Sequence, residues 1–188
     1  MSLLQQNIAG AVRAFQALAE LQPQLDRAAA MVSQCLTSGH KLLLCGNGGS
    51  AADAAHLATE FVCRYQHDRR PYPAIAFSDA GSTLAAIGND YHFDQVFARQ
   101  VHAFGQAGDV LIVLSTSGKS RNIRLALDEA KRRNIASIAL LGRDGGECRK
   151  LATVDLIVKD DVTARIQEAH KLLYHTLCEM VEKELPQQ

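Results

Sequence analysis

Five short apolar runs, separated by longer stretches of helical periodicity, predict a doubly wound α/β fold with a five-stranded parallel sheet. The runs are KLLLC (41–45), PAIAF (73–77), DVLIVLS (109–115), IASIALL (135–141) and VDLIV (154–158). They are rich in Val, Ile and Leu and lack strict alternation, which suits strands buried on both faces in a parallel sheet covered by helices. Between the third and fourth runs, SRNIRLALDEAKRRN puts Ile123, Leu127 and Ala130 at helical spacing, and similar patterns fill the other gaps. This alternation of strand and helix is the sequence pattern of an open α/β sheet.

Taken in order, two helical segments precede the first strand and part near Pro23. The first carries Ile8, Val12, Phe15 and Leu18 at spacings of three and four, an apolar face at helical period. The first strand runs directly into CGNGGSAADAAHLATE (45–60), a glycine-rich turn that opens a helix. After the last strand one long helix is expected from about Val162 to Glu184. The outer helices exceed what a minimal sheet needs for cover. With no repeat, low-complexity tract or linker, the expectation is one domain over 1–188.

Composition narrows the classes of partner. The chain has 188 residues with 20 Lys and Arg against 20 Asp and Glu, so no net positive field gathers nucleic acid or anionic lipid. The opening MSLLQQNIAGAV lacks a basic segment followed by an apolar one, and no run approaches the ~18 apolar residues of a membrane span. A cytoplasmic protein is expected. The five cysteines, Cys35, Cys45, Cys63, Cys148 and Cys178, are odd in number and form no CxxC pair. Reduced, mostly buried thiols are expected rather than a disulfide framework or a thiolate zinc site.

Ligands of open parallel sheets bind beyond the carboxyl ends of the strands, and two loops there are distinctive. GNGGS (46–50) has glycines that permit close backbone approach, and it opens a helix whose free N–H groups favour an anion. STSGKS (115–120) offers the hydroxyls of Ser115, Thr116, Ser117 and Ser120 at another helix start. GNGGSA also satisfies a dinucleotide fingerprint, but Asp79, the acidic residue at the second strand end, comes 28 residues after Ala51 rather than about 20. GKS resembles the end of a nucleotide P-loop, yet Val113 stands where that motif requires a glycine. A hydroxyl-lined loop without either fingerprint suits one phosphate monoester, and sugar phosphates fit.

His56 and Glu60 lie four apart on the helix after the first loop, hence on one face. On the terminal helix Gln167, Lys171 and His175 advance down one face at spacing four. Taken singly, such residues more often serve local stabilisation than chemistry. His170 and Tyr174 lie beside that face without an assigned role. His40, His67, His92 and His102 are expected to be structural or solvent-facing, and neither Arg64 nor Asp94 is assigned to chemistry.

Together, CGNGGSAADAAHLATEF, IGNDYHF, STSGKSRNI and ARIQEAHKLLYH resemble, in order and spacing, the SIS (sugar isomerase) fold family and within it the phosphoheptose isomerases. The resemblance spans nearly the whole chain. It implies a phosphate held by Ser115, Thr116, Ser117 and Ser120, a sugar contacted by Asn47, Gly48, Gly49, Asn89 and Asp90, and catalysis by Glu60 and His175 with Gln167 nearby. It further implies a homotetramer and a divalent metal, zinc, on His56, Glu60, Gln167 and His175. His and carboxylate are ordinary zinc ligands at this one-turn spacing, whereas Gln167 enters through the resemblance alone. Lys119 departs from the family pattern, where Asn is common, but removes no hydroxyl. The implied activity is conversion of sedoheptulose 7-phosphate to D-glycero-D-manno-heptose 7-phosphate, toward bacterial lipopolysaccharide. A proton must pass between adjacent carbons through an enediol, so a carbon base and a group trading protons at oxygen are needed. Glu60 suits the first role and His175 the second. The competing class is a non-catalytic phosphosugar-binding regulator, such as a replication initiator-associating protein; such relatives typically lack an acid and a histidine at positions 60 and 175.

Overall fold

The computed structural model describes residues 1–186. Its strands are β1 (Leu42–Gly46), β2 (Ala74–Ala76), β3 (Val110–Ser115), β4 (Ala136–Gly142) and β5 (Val154–Val158). All pair in parallel, in the order β2-β1-β3-β4-β5. The helices are α1 (Leu3–Ala17), α2 (Gln22–Thr37), α3 (Gly49–Val62), α4 (Gly81–Asp90), α5 (Val96–Phe104), α6 (Arg121–Arg132) and α7 (Thr163–Glu184). Each apolar run contains its expected strand. The run at 73–77 shortens to three residues because Phe77 enters a 3-10 turn.

Burial on both faces holds for β1 and β3 and nearly throughout β4. The edge strands differ: β2 leaves Ile75 exposed, and β5 alternates buried with half-buried residues. An edge strand has a neighbour on one side only, so its apolar run overstates its cover. On the inner strands alternate residues serve two cores. Leu42, Leu44, Ile112 and Leu140 pack with α2, α3 and α7 on one face. Leu43, Cys45, Leu111 and Val113 pack with α5 and α6 on the other.

The two N-terminal helices part at a 3-10 turn, Leu18–Leu21, and Pro23 sits in the first turn of α2, where its missing N–H breaks no helical bond. Helix α1 rests on α7, with Arg165 donating to the carbonyl of Asn7 at 2.6 Å. Leu4, Ile8, Val12 and Phe15 remain exposed along α1. Among the described residues no helix is long and apolar enough to cross a membrane. All five cysteines are free, and four are buried; Cys63 is exposed.

Strand order places the two loops together. Gly46 pairs with Leu114, so Asn47 and Ser115 leave the sheet side by side. This is the point where the chain, having turned from β1 to β2 on one side, crosses to β3 on the other. In open sheets that reversal opens a crevice for ligands.

Candidate active site

The floor of the site is the loop from Ser115 to Ser120. Ser115 Oγ accepts from the Gly118 N–H at 3.1 Å and Ser117 Oγ accepts from the Lys119 N–H at 3.2 Å. Each hydroxyl oxygen is thereby fixed while its own proton stays free to donate. Ser120 occupies the N-cap position of α6, yet its side chain makes no capping bond. Its hydroxyl and the first N–H groups of α6 are therefore left for an anion. Gly118 adopts φ +62°, and a Cβ there would run into the Gly145 carbonyl. Cys148 N–H donates to the Gly118 carbonyl at 3.0 Å, tying the loop down.

Asn47, Ser50, Ser115, Thr116, Ser117 and Ser120 line a small cavity of about 60 Å³. Asn47 is held by a reciprocal amide pair with Asn122, 2.9 Å in each direction. Ser50 and the buried Asn122 belong to this floor, and sequence reading overlooked both. Asn122 sits two residues past Ser120, so its reach to Asn47 depends on the β1–β3 pairing.

The second group stands on α3 and α7. His56 Nε2 lies 2.7 Å from Glu60 Oε1. His56, Glu60 and His175 each offer a ligand atom, and these atoms all lie within 4.8 Å of one another. Residues separated by 115 positions are thus brought together within a single chain. The His56 and His175 rings meet edge to face with centroids 5.2 Å apart. Burial lowers the pKa of His175 from the usual imidazole value, the neighbouring His56 acts in the same direction, and Glu60 opposes both. His175 is therefore neutral near pH 7.

Long-range contacts hold these helices in register. The buried Glu182 carboxylate accepts from the N–H groups of Tyr65, Gln66 and His67 at 3.0–3.2 Å. Arg69, 3.4 Å from Glu182, donates to the carbonyls of Glu60 and Phe61 at the end of α3. The segment after α3 is thus clamped to α7, with the Tyr65 ring 5.9 Å from that of His175. No local pattern in the sequence marks Glu182, whose partners are backbone N–H groups of a turn 115–117 positions away, or Arg69, which joins that carboxylate to carbonyls at the end of α3.

Other expected residues stand apart. Gln167 lies against Gly49, leaving no room for a Cβ there. It therefore faces the glycine loop, two turns of α7 before His175. Asn89 and Asp90 end α4, exposed and bonded to each other at 2.8 Å. Neither lines the hydroxyl cavity. His92 and His102 are exposed, whereas His170 is wholly buried.

These two groups, an anion floor at the start of α3 and a carboxylate with two imidazoles further along that helix, can be set against known proteins. The model of the family described as SIS domain matches residues 7–142, more than half of the chain. The chain belongs to the SIS domain family. It is similar to a phosphoheptose isomerase of Citrifermentans bemidjiense, 49% identical over 166 residues that cover 88% of this chain and 86% of the relative. That of Clostridium acetobutylicum is 50% identical over 162 residues, covering 86% and 83%. The solved phosphoheptose isomerase of Neisseria gonorrhoeae superposes with a TM-score of 0.89 at 43% identity, covering 96% and 97% of the two chains. Within the SIS family the chain thus stands among the phosphoheptose isomerases.

Proposed function

We propose that this protein is an aldose–ketose isomerase that converts sedoheptulose 7-phosphate to D-glycero-D-manno-heptose 7-phosphate through an enediol. The observation that carries the reading is the convergence of Glu60 and His175 in a chain that also carries a loop whose hydroxyls and helix start suit a phosphate monoester. The names borne by relatives at close to half identity support it. A non-catalytic phosphosugar-binding protein has no use for a carboxylate and a neutral imidazole brought together in this way.

In the mechanism the hydroxyls of Ser115, Thr116, Ser117 and Ser120 donate to the phosphate, and the N-terminus of α6 adds its partial positive charge. Anchored there, the sugar reaches past Asn47, Gly48 and Gly49, and Asn89 and Asp90 would contact it from the exposed end of α4. Glu60 takes the proton from the carbon adjacent to the carbonyl and returns it to the neighbouring carbon. His175, neutral near pH 7, can both give and take a proton, and so serves the two oxygens as the enediol forms and collapses.

His56, Glu60 and His175 form a donor set of two imidazoles and one carboxylate that fits a divalent ion, zinc by the chemistry of its donors. Gln167, two turns of α7 before His175 and against Gly49, stands outside this donor set within one chain. When bound, such an ion supplies polarisation of a substrate oxygen. Glu60 would then divide its carboxylate between holding the ion and taking the proton.

We infer assembly as a homotetramer, for which the exposed apolar face of α1 offers an interface, and a cytoplasmic enzyme whose product feeds heptose for lipopolysaccharide. The deciding experiment is incubation with sedoheptulose 7-phosphate while aldose formation is followed. Turnover is expected in the native protein, and a loss of about 10²–10⁴-fold in Glu60→Gln. No product from the native protein, or equal turnover by the variant, refutes the reading. Sedimentation as a stable monomer at micromolar concentration would refute the assembly.

A further inference from the structure

On the side of His56 away from Glu60 stand three polar side chains that the proton transfers leave unused. Asp53, buried on α3, lies almost one turn before His56, while Lys171 and Tyr174 come across from α7. Lys171 Nζ is 3.2 Å from Asp53 Oδ1 and 3.4 Å from His56 Nδ1. Tyr174 Oη is 3.3 Å from the same Asp53 oxygen and 3.4 Å from the same His56 nitrogen. One carboxylate therefore anchors two different groups onto one ring nitrogen.

The two groups have different capacities. An ammonium can only donate. Facing Lys171, Nδ1 must present its lone pair, so the single proton of the neutral ring rests on Nε2 and donates to Glu60 Oε1 at 2.7 Å. A phenol can donate and accept at once. With its O–H given to Asp53, the Tyr174 oxygen can accept from Nδ1–H instead. That second tautomer is the one His56 requires when Nε2 ligates a metal, since a ligating nitrogen carries no proton and its partner nitrogen donates to an outer group.

We propose that Asp53, Lys171 and Tyr174 are positioning residues that select which nitrogen of His56 carries the proton, Lys171 holding the metal-free tautomer and Tyr174 supporting the metal-bound one. The pairing gives the two α7 residues opposite effects on the affinity for a divalent ion. Its bearing on metal rests on the ligand set proposed above, whereas its bearing on the tautomer does not.

The test uses the full-length protein carrying ¹⁵N-labelled histidine, with Lys171→Met and Tyr174→Phe. In the metal-free native protein the His56 nitrogen shifts should report a protonated Nε2, and Lys171→Met should relax them toward a mixture. Zinc affinity, read by competition with a chromophoric chelator, should weaken about 10-fold or more in Tyr174→Phe. It should tighten by about threefold or more in Lys171→Met, which removes a nearby positive charge. Effects of the same sign, or His56 shifts indifferent to Lys171, overturn the proposal. Lys171 is nearly half exposed, so Lys171→Met preserves packing, and the sign of its effect still decides should Tyr174→Phe not fold. If the native protein takes up no zinc, the metal reading fails and the nitrogen shifts alone judge the inference.

Discussion

His170 makes the attachment of α7 sensitive to acid. Its ring is completely buried, and neither nitrogen has a hydrogen-bond partner; the Leu141 carbonyl approaches it without reaching bonding geometry. Desolvation pushes its pKa down to about 4 from 6.5, outweighing the opposing pull of Leu141 and Asp53. A folded-state value below the unfolded one means that protonation favours the unfolded chain. The stabilisation is therefore fully present above pH 6.5 and is lost as pH falls toward 4. From these two values the linkage predicts a loss of about 2 kcal/mol by pH 5 and about 3 kcal/mol near pH 4. The comparison belongs at pH 5, where ordinary carboxylates are still mostly ionised. Urea unfolding of the native protein and of His170→Leu at pH 7.5 and pH 5 provides the assay. The native protein should lose about 2 kcal/mol more than the variant over that interval. Groups present in both proteins, such as Asp155 with its raised pKa, cancel in the difference. Equal losses would refute the claim that His170 is buried as a neutral, unpartnered ring. Because α7 carries Gln167, Lys171 and His175, disorder of this helix on acidification should also remove the active site.

Two further outcomes follow from the hydroxyl loop. Gly118→Ala would need a left-handed backbone and a shift of the Gly145 carbonyl, so thermal unfolding should show a loss of at least about 1–3 kcal/mol; unchanged stability would mean that the loop is not pinned as described. Ser120→Ala removes an uncapped, outward hydroxyl and should weaken phosphosugar binding about 10-fold, consistent with about 1.5 kcal/mol for a charge-assisted hydrogen bond, while leaving the unfolding curve in place; titration calorimetry with the native ketose phosphate measures it, and unaltered affinity would remove Ser120 from the site.

Local physics made much of this protein legible. Runs such as DVLIVLS and IASIALL must bury both faces, and they became β3 and β4 within a residue of the expected ends. The glycine turn into α3 and the hydroxyl turn into α6 could be read as anion sites because their function lies in backbone and side chains close in sequence. The pair His56 and Glu60 was visible for the same reason, since helical geometry alone sets a spacing of four. The edge position of β2 was not legible, because Ile75 looks like any core isoleucine until its neighbours are known.

What the sequence determined by itself was the fold class, the two loops and the separate halves of the proposed catalytic pair. Tertiary structure decided how they meet. Strand order set β1 against β3, which placed Asn47 beside Ser115 and let Asn122 grip Asn47. The packing of α7 on α3 brought His175 to Glu60, and Lys171 and Tyr174 to the far side of His56. Glu182 secured that packing through N–H groups of a distant turn, and Arg69 linked the same carboxylate to carbonyls at the end of α3. These contacts were out of reach of periodicity because helix and strand patterns encode only which face is buried. Which partner covers that face depends on the order in which the strands pair.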